Sequence, residues 1–502
     1  MLRPGDVIAL NGDLGAGKTT FARALIRALA DDPALEIPSP TFTLVQTYET
    51  ARLGLAHFDL YRLGSPDEIY ELGLDHLLQH GAALIEWPER AGDYLPEDRL
   101  DIFINDGQLI EGHETRSIVL EGHGTWETRA QRLAALHRII RAAGFRDDHA
   151  RLTAIIGDAS ARSYARLTQK PALDMPGAEA PTKALVMDWP RQPDGPPIRD
   201  GLAYSQIAHL AEGVMPFVAI GNTLRAAGFY TPEILAADLE NGFLVLEDLG
   251  TNDFKAALAS GASQEQLWRA ATDVLIALRR LPIPSSLSGG AGKTHVIPAF
   301  DEGVLEIETE LLLDWYWPAV HGEPAPIKQR EAFRTAWAAF ITDLSRQPRH
   351  WILRDFHSPN LFWHPEREGL KRVGLIDYQD ALAGPAEYDL VSLLQDARLD
   401  VDPGLEARLL DYYVSRVRAE EGDLDEDAFR LTYAALGAQR NSKILGIFAR
   451  LAKRDGKLRY LEHIPRVWTY LTRDLAHPEL APLAEWYDEA FPPHIRQRIP
   501  AA

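Results

Sequence analysis

The sequence predicts two folds in series, an α/β nucleotide-binding domain and then an α+β domain of two lobes. The first observation is the strand-like run Val7-Ile8-Ala9-Leu10 leading into Gly12-Asp13-Leu14-Gly15-Ala16-Gly17-Lys18-Thr19. That is a complete G-x-x-x-x-G-K-T loop between a strand and a helix. The second is Arg354-Asp355-Phe356-His357-Ser358-Pro359-Asn360, followed by the apolar run Val373-Gly374-Leu375-Ile376 and then Asp377-Tyr378-Gln379-Asp380. The third is a change of texture: segments from Arg151 to about Leu249 read as mostly strand, and later ones as mostly helix. The fold class is therefore an α/β P-loop NTPase domain followed by an α+β bilobal protein-kinase-like domain. The expected division is 1–122 and 123–502, with lobes at about 123–249 and 250–502.

Taken in order, Thr20 to Ala30 forms an amphipathic helix in which Phe21, Ala24, Leu25, Ala28 and Leu29 share a face. Ala82-Ala83-Leu84-Ile85 reads as a buried strand and Arg116 to Leu120 as the last strand of the domain. Glu121-Gly122-His123-Gly124 breaks the pattern, and Thr128 to Ala143 is a helix stopped by Gly144. Gly289-Gly290-Ala291-Gly292-Lys293-Thr294 imitates a second phosphate loop, but Leu287 stands where the first glycine belongs and no apolar strand precedes it. It reads as a flexible loop. The acidic stretch from Glu420 to Asp427 reads as a solvated loop carrying a helix cap.

Bulk properties narrow the function classes. A chain of 502 residues, 46% hydrophobic and 25% charged, can build two or three globular cores. The net charge of −21 argues against general nucleic-acid or membrane-surface binding. With no cysteine, disulfides and thiolate chemistry are excluded. Met1-Leu2-Arg3-Pro4-Gly5-Asp6 has no signal-peptide pattern, and the richest apolar run, Leu311 to Trp317, is short and interrupted by Asp314. A cytoplasmic location without direct membrane contact is expected.

In the phosphate loop, backbone N–H groups at a helix N-terminus converge on phosphates, and Gly12, Gly15 and Gly17 permit the close approach. Lys18 is then placed to reach the β/γ-phosphates and Thr19 to bind Mg²⁺. Three further segments follow: Ser39-Pro40-Thr41-Phe42-Thr43-Leu44-Val45, His57-Phe58-Asp59-Leu60-Tyr61-Arg62-Leu63 and Leu84-Ile85-Glu86-Trp87-Pro88-Glu89-Arg90. With the loop, these four motifs resemble the TsaE family, ATPase subunits needed for making threonylcarbamoyladenosine in tRNA. The resemblance covers about residues 1–122. It implies ATP and Mg²⁺ as cofactors, Thr41 facing the phosphates, Asp59 and Glu86 near metal and water, and protein partners of the threonylcarbamoyl-transfer complex. A carboxylate ending an apolar strand, as Glu86 does, can hold hydrated Mg²⁺ or orient the attacking water. Trp87 can stack on a partner or fill the core, and Asp59 can pair with Arg62 instead. The family usually has a further helix and strand before this loop, whereas eleven residues precede Gly12 here. A non-catalytic docking module is the alternative reading.

Phosphoryl transfer to an alcohol needs a base, metal-binding side chains and donors for the phosphates. Asp355 can accept the hydroxyl proton, and Asn360 and Asp377 can hold Mg²⁺. Upstream, Gly157-Asp158-Ala159-Ser160-Ala161-Arg162 can cover the nucleotide phosphates through Ser160 and Arg162. Gly242 to Gly250 reads as a strand running into a hinge at Glu247, where backbone can pair with adenine. This arrangement resembles the aminoglycoside phosphotransferase and choline kinase superfamily. Trp351 to Leu361, Asp377 to Ala381, Tyr388 to Arg398 and Gln439 to Leu451 further resemble the AmgK family, over roughly residues 128–480. That resemblance implies phosphorylation of the anomeric hydroxyl of N-acetylmuramate and N-acetylglucosamine, small amino sugars of peptidoglycan recycling. Arg440, Lys443, Arg450, Arg454 and Lys457 recur at helical spacing and form either a basic wall toward the sugar or a solvated face. Trp315, Tyr316 and Trp317 stack on a sugar or pack in the core. The superfamily's strand lysine is displaced here: Lys183 stands just before Ala184-Leu185-Val186-Met187, so Lys183 or Arg162 supplies the cation for the α/β-phosphates. An aminoglycoside or choline-type kinase is the alternative.

Overall fold

The computed structural model describes residues 2–50, 53–110, 113–146, 150–155, 162–169, 181–422, 424–496 and 498. It divides into two compact units, Met1–Arg138 and Ile139–Ala502. In the first, strands β1 (Val7–Asn11), β2 (Val45–Glu49), β3 (Gly54–Asp59), β4 (Gly81–Glu86), β5 (Leu100–Ile110) and β6 (His113–Gly122) form one sheet in the order β2-β3-β4-β1-β5-β6. The four inner strands run parallel and the two edge strands antiparallel. Helix α1 (Lys18–Ala30) follows β1 directly.

Alternation along the strands explains why this sheet is covered on both faces. Ile8, Leu10, Leu84 and Ile102 join Ile26 of α1 in one core, while Val7, Phe58 and Ile85 join Ile69 and Leu74 in the other. The helix α2 (Trp126–Ala142) starts on the first of these cores, through Trp126 and Ala130. Arg129 stacks on Trp126 and pairs with Asp6 at 2.6 Å, fastening that first turn. The compact unit thus reaches past the position 122/123 expected from the sequence.

The second unit opens with an antiparallel sheet of five strands. Strands β7 (Ala150–Ile155), β8 (Ser163–Gln169) and β9 (Lys183–Asp188) are followed in it by Phe243–Leu246 and Ile234–Asp238. Helix Val214–Ala226 lies against Tyr378: Phe217 stacks on that ring with centroids 4.6 Å apart. A Cβ on Gly221 would lie 2.3 Å from the Tyr378 hydroxyl, so only glycine allows this approach.

Helices dominate the rest. The longest, Glu426–Asp455, is capped by Asp425, whose side chain accepts from the Ala428 N–H, and it stops at Gly456 with φ 66°. The cap falls inside the acidic stretch, as the sequence suggested. The apparent second phosphate loop is a short hairpin instead, Leu287–Gly290 paired with Lys293–His295. Gly290, Ala291 and Gly292 all have positive φ there and turn the chain, so the glycines serve a turn and no helix follows. Tyr316 and Trp317 are buried in the helical core, where the Tyr316 hydroxyl accepts from Trp468 Nε1 at 2.8 Å. Among the described residues no helix is long and apolar enough to cross a membrane.

Candidate active sites

In the first unit, Asn11, Asp59 and Glu86 end adjacent parallel strands on the edge where α1 begins. This is the side on which open α/β sheets hold ligands. A cavity of about 350 Å³ there is lined by Gly15, Lys18, Thr19, Thr41, Asp59 and Glu86, among others. A Cβ on Gly12 would meet the Ile104 carbonyl oxygen at 2.6 Å, while Gly15 and Gly17 have φ of 84° and 105°. Lys18 donates to the carbonyls of Gly12 (2.5 Å) and Asp13 (3.0 Å) and lies 3.6 Å over the Trp87 ring. Burial lowers its pKa, against the pull of Glu86, Glu89, Asp59 and Asp13.

The other groups bond one another. Thr19 Oγ1 donates to Glu86 Oε2 at 2.8 Å, and Thr41 Oγ1 donates to Asp59 Oδ2 at 2.9 Å. Arg62 lies over the Phe42 ring at 4.5 Å, and Asp59 instead takes Ser39, Thr41 and the Tyr61 N–H. His57, fully buried, bonds Glu86 Oε1 through Nε2 at 2.9 Å and so holds the second carboxylate oxygen. Sequence reasoning gave His57 no part; two positions before Asp59 on one strand face, it had a signal only in period-2 alternation. Leu44 and Trp87 are non-glycine residues at positive φ, backbone strain concentrated beside the cavity.

In the second unit, the catalytic-loop segment joins strand His350–Ile352 to Leu361–Trp363, and the latter pairs with Val373–Leu375. That hairpin sets Asn360 beside Asp377. Asn360 Nδ2 donates to the Asp355 carbonyl at 3.0 Å and to Asp377 Oδ2 at 3.3 Å. Arg162 pairs with Asp377 at 2.7 Å, and Gln379 bonds Arg162, Asp377 and Asp380. A cavity of about 250 Å³ is lined by Arg162, Leu185, Met187, Glu247, Asn360 and Asp377, among others. Ser160 lies outside the described residues. Lys183 is exposed at the start of β9, opposite Thr168, and it is Leu185 and Met187 that reach the cavity. The cation in the wall is therefore Arg162. The Glu247 carboxylate is occupied by the Tyr230 hydroxyl and the Glu233 N–H, and its own N–H donates to the Glu233 carbonyl at 2.8 Å, leaving its backbone carbonyl for the hinge role.

Asp355 is half-buried with 44% of its side chain open, and His357 Nε2 lies 3.7 Å from its carboxylate. Burial pushes its pKa up, but the charges of His357, Lys443, Arg354 and Arg440 win and hold it below the ordinary value. Burial and Arg398 push His357 down to about 4, so it is neutral at pH 7. The loop is held by buried acids that sequence reasoning missed. Asp389 accepts the N–H groups of Leu353 (2.5 Å) and Arg354 (2.9 Å), and Asp396 that of Ser358 (2.8 Å). Glu308, fully buried, pairs with Arg354 and with Lys443 (2.7 Å) and accepts from Gln439 at 3.1 Å. Arg354 and Asp377 both have positive φ.

The basic wall is thus divided. Lys443 is committed to Glu308, Arg454 is exposed and paired with Asp455 at 2.7 Å, and Arg450 lies 5.7 Å over the Tyr204 ring. Lys457 stands just past the helix end, half-buried, and Arg440 is buried near the loop.

Both regions have relatives among known proteins. Residues 1–117 match the family of the threonylcarbamoyl adenosine biosynthesis protein TsaE, and residues 151–425 match the phosphotransferase enzyme family. An N-acetylmuramate/N-acetylglucosamine kinase of Caulobacter vibrioides is 37% identical over 372 residues, 73% of this chain and 99% of that protein. A kinase of the same name from Pseudomonas aeruginosa is 36% identical over 278 residues, 55% of this chain and 77% of its own. The tRNA threonylcarbamoyladenosine biosynthesis protein TsaE of Rickettsia prowazekii is 49% identical over 117 residues, 22% of this chain and 81% of that protein. The chain belongs to the phosphotransferase enzyme family, among relatives of the N-acetylmuramate/N-acetylglucosamine kinases, and carries a TsaE-family region at its front.

Proposed function

We propose that this protein carries two activities. Its first region hydrolyses ATP in support of tRNA threonylcarbamoyladenosine formation, docking with the other proteins of that transfer reaction. Its second transfers the γ-phosphoryl group of ATP to the anomeric hydroxyl of N-acetylmuramate or N-acetylglucosamine. Both reactions belong in the cytoplasm. The observation that carries the second reading is Asp355: a carboxylate kept ionised, partly exposed and backed by Asn360 and Asp377.

Asp355 takes the proton of the acceptor hydroxyl as its oxygen bonds to the γ-phosphorus and the bond to the leaving ADP oxygen breaks. An anomeric hydroxyl is more acidic than an ordinary alcohol, so a base of low pKa suffices. Arg162 steadies Asp377 and supplies charge toward the phosphates, and the Glu247 hinge meets adenine. Asn360 and Asp377 supply hard oxygen donors of the kind Mg²⁺ takes, as do Thr19 and Asp59 in the first site. When bound, Mg²⁺ would neutralise charge developing on the phosphate oxygens. In the first site Lys18 binds the phosphates, and Glu86, steadied by His57, orients the attacking water.

Phosphorus NMR of the full-length protein with Mg-ATP and each of N-acetylmuramate, N-acetylglucosamine, kanamycin and choline tests the kinase reading. A sugar-1-phosphate signal is expected. Turnover of kanamycin or choline with no phosphorylated N-acetyl sugar would sink it.

A further inference from the structure

We infer that Arg440 is the specificity-determining residue of the kinase site, its guanidinium receiving the carboxylate of an anionic acceptor sugar. This rests on the kinase reading above. Arg440 is 4% exposed, its Nη1 is buried without a hydrogen-bond partner, and no acidic side chain pairs with it among the described residues. An unbonded guanidinium donor in the interior is costly, and such a group is completed by a ligand of opposite charge.

Its surroundings fix where that ligand lies. Gln439, next to it, and Lys443, one turn on, both bond Glu308, which pairs with Arg354 just before Asp355, so Arg440 lies on a stretch of helix held beside that loop. The neighbouring cations are already engaged. Arg398 Nη1 donates to His357 Nε2 at 3.2 Å, and Lys443 is bonded to Glu308. Arg450 also has an unpartnered Nε, but it lies over Tyr204, ten residues along the helix. A rise of about 1.5 Å per residue puts it some 15 Å from Arg440.

N-acetylmuramate and N-acetylglucosamine present the same reacting hydroxyl and differ by one lactyl ether, which carries a carboxylate. A guanidinium gives that carboxylate a charge-assisted hydrogen bond that the neutral sugar cannot accept. Arg440 also helps keep Asp355 ionised, and that share of its effect falls on both sugars alike. The ratio of the two kcat/KM values therefore isolates recognition from support of the base.

The test measures kcat/KM for both sugars with full-length wild type, R440K and R440Q. In R440Q the ratio of N-acetylmuramate to N-acetylglucosamine is expected to fall on the order of 10- to 100-fold, and in R440K by less. Each ratio comes from one preparation, so an inactive fraction cancels. With wild type alone, the methyl ester of N-acetylmuramate should lose about tenfold or more against the free acid. A ratio unchanged within about twofold in R440Q, or equal turnover of acid and ester, overturns the assignment. Wild type that phosphorylates neither sugar would instead refute the kinase reading itself.

Discussion

Lys18, Thr19 and Thr41 of the first site are each bonded to groups of that same site, whereas Asp355 of the second makes no side-chain hydrogen bond among the described residues. In the first, a nucleotide must replace existing bonds, including the stack of Lys18 on Trp87, and that cost weakens apparent affinity. In the second, the proposed base has no side-chain bond of its own to displace, and it is the neighbouring Asp377 that must release Arg162 and Asn360 to take a metal. The lesson is that strands can present a self-bonded site, while an open one needs buried support from far along the chain.

The comparison breaks most sharply on the two key side chains. Asp355→Asn should lower sugar phosphorylation on the order of 10²- to 10⁴-fold and leave ATP turnover at the first site untouched. Lys18→Ala should lower that ATP turnover on the order of 10²- to 10³-fold without changing sugar phosphorylation. Parallel assays of phosphate release and sugar-1-phosphate check both, and loss of both activities in either variant would refute independent sites.

A smaller effect concerns the support itself. Burial raises the Asp389 pKa to about 7, opposed by its bonds from Leu353 and Arg354. An unfolded aspartate titrates near ~3.9, so between these values the folded protein binds more protons and stability falls as pH rises. His357, at about 4 when folded against ~6.5 unfolded, acts oppositely and adds stability as pH rises. Asp389→Asn removes the falling component. Urea melts of the variant should show stability climbing more steeply with pH over that window than in wild type, with a loss of ~1–3 kcal/mol at low pH from the altered anchor. Smallest of all, Lys183→Ala should change the KM for ATP by no more than about twofold, since the side chain is exposed. A tenfold rise in KM would return Lys183 to the nucleotide site.

Sequence legibility followed the same divide. The phosphate loop, Asp59 and Glu86 lie at strand ends that hydrophobic runs mark, so position and chemistry could be read together. Asp355, Asn360 and Asp377 were legible because a hairpin keeps them close in sequence. Glu308, Asp389 and Asp396 were not, because a buried acid looks like any other until its distant partner is known. Lys443 shows the same limit: helical spacing put it on the wall, and its bond to Glu308, 135 positions away, could not be read from that spacing. Arg162 and Lys183 could not be ranked without β9, whose register alone decides which side chains enter the cavity.

The carboxylate of Glu308 joins Arg354 to Lys443, and this has a consequence for the order in which a ribosome delivers the chain. The residues that line the phosphate-loop cavity all lie at or before Trp87, within the first quarter of synthesis. The kinase centre is incomplete until the helix carrying Gln439 and Lys443 has emerged, because until then Glu308, which holds the arginine preceding Asp355, lacks the bonds those two residues donate. A nascent chain can thus present a finished nucleotide site long before it can phosphorylate anything, and a message cut short would silence the sugar chemistry first.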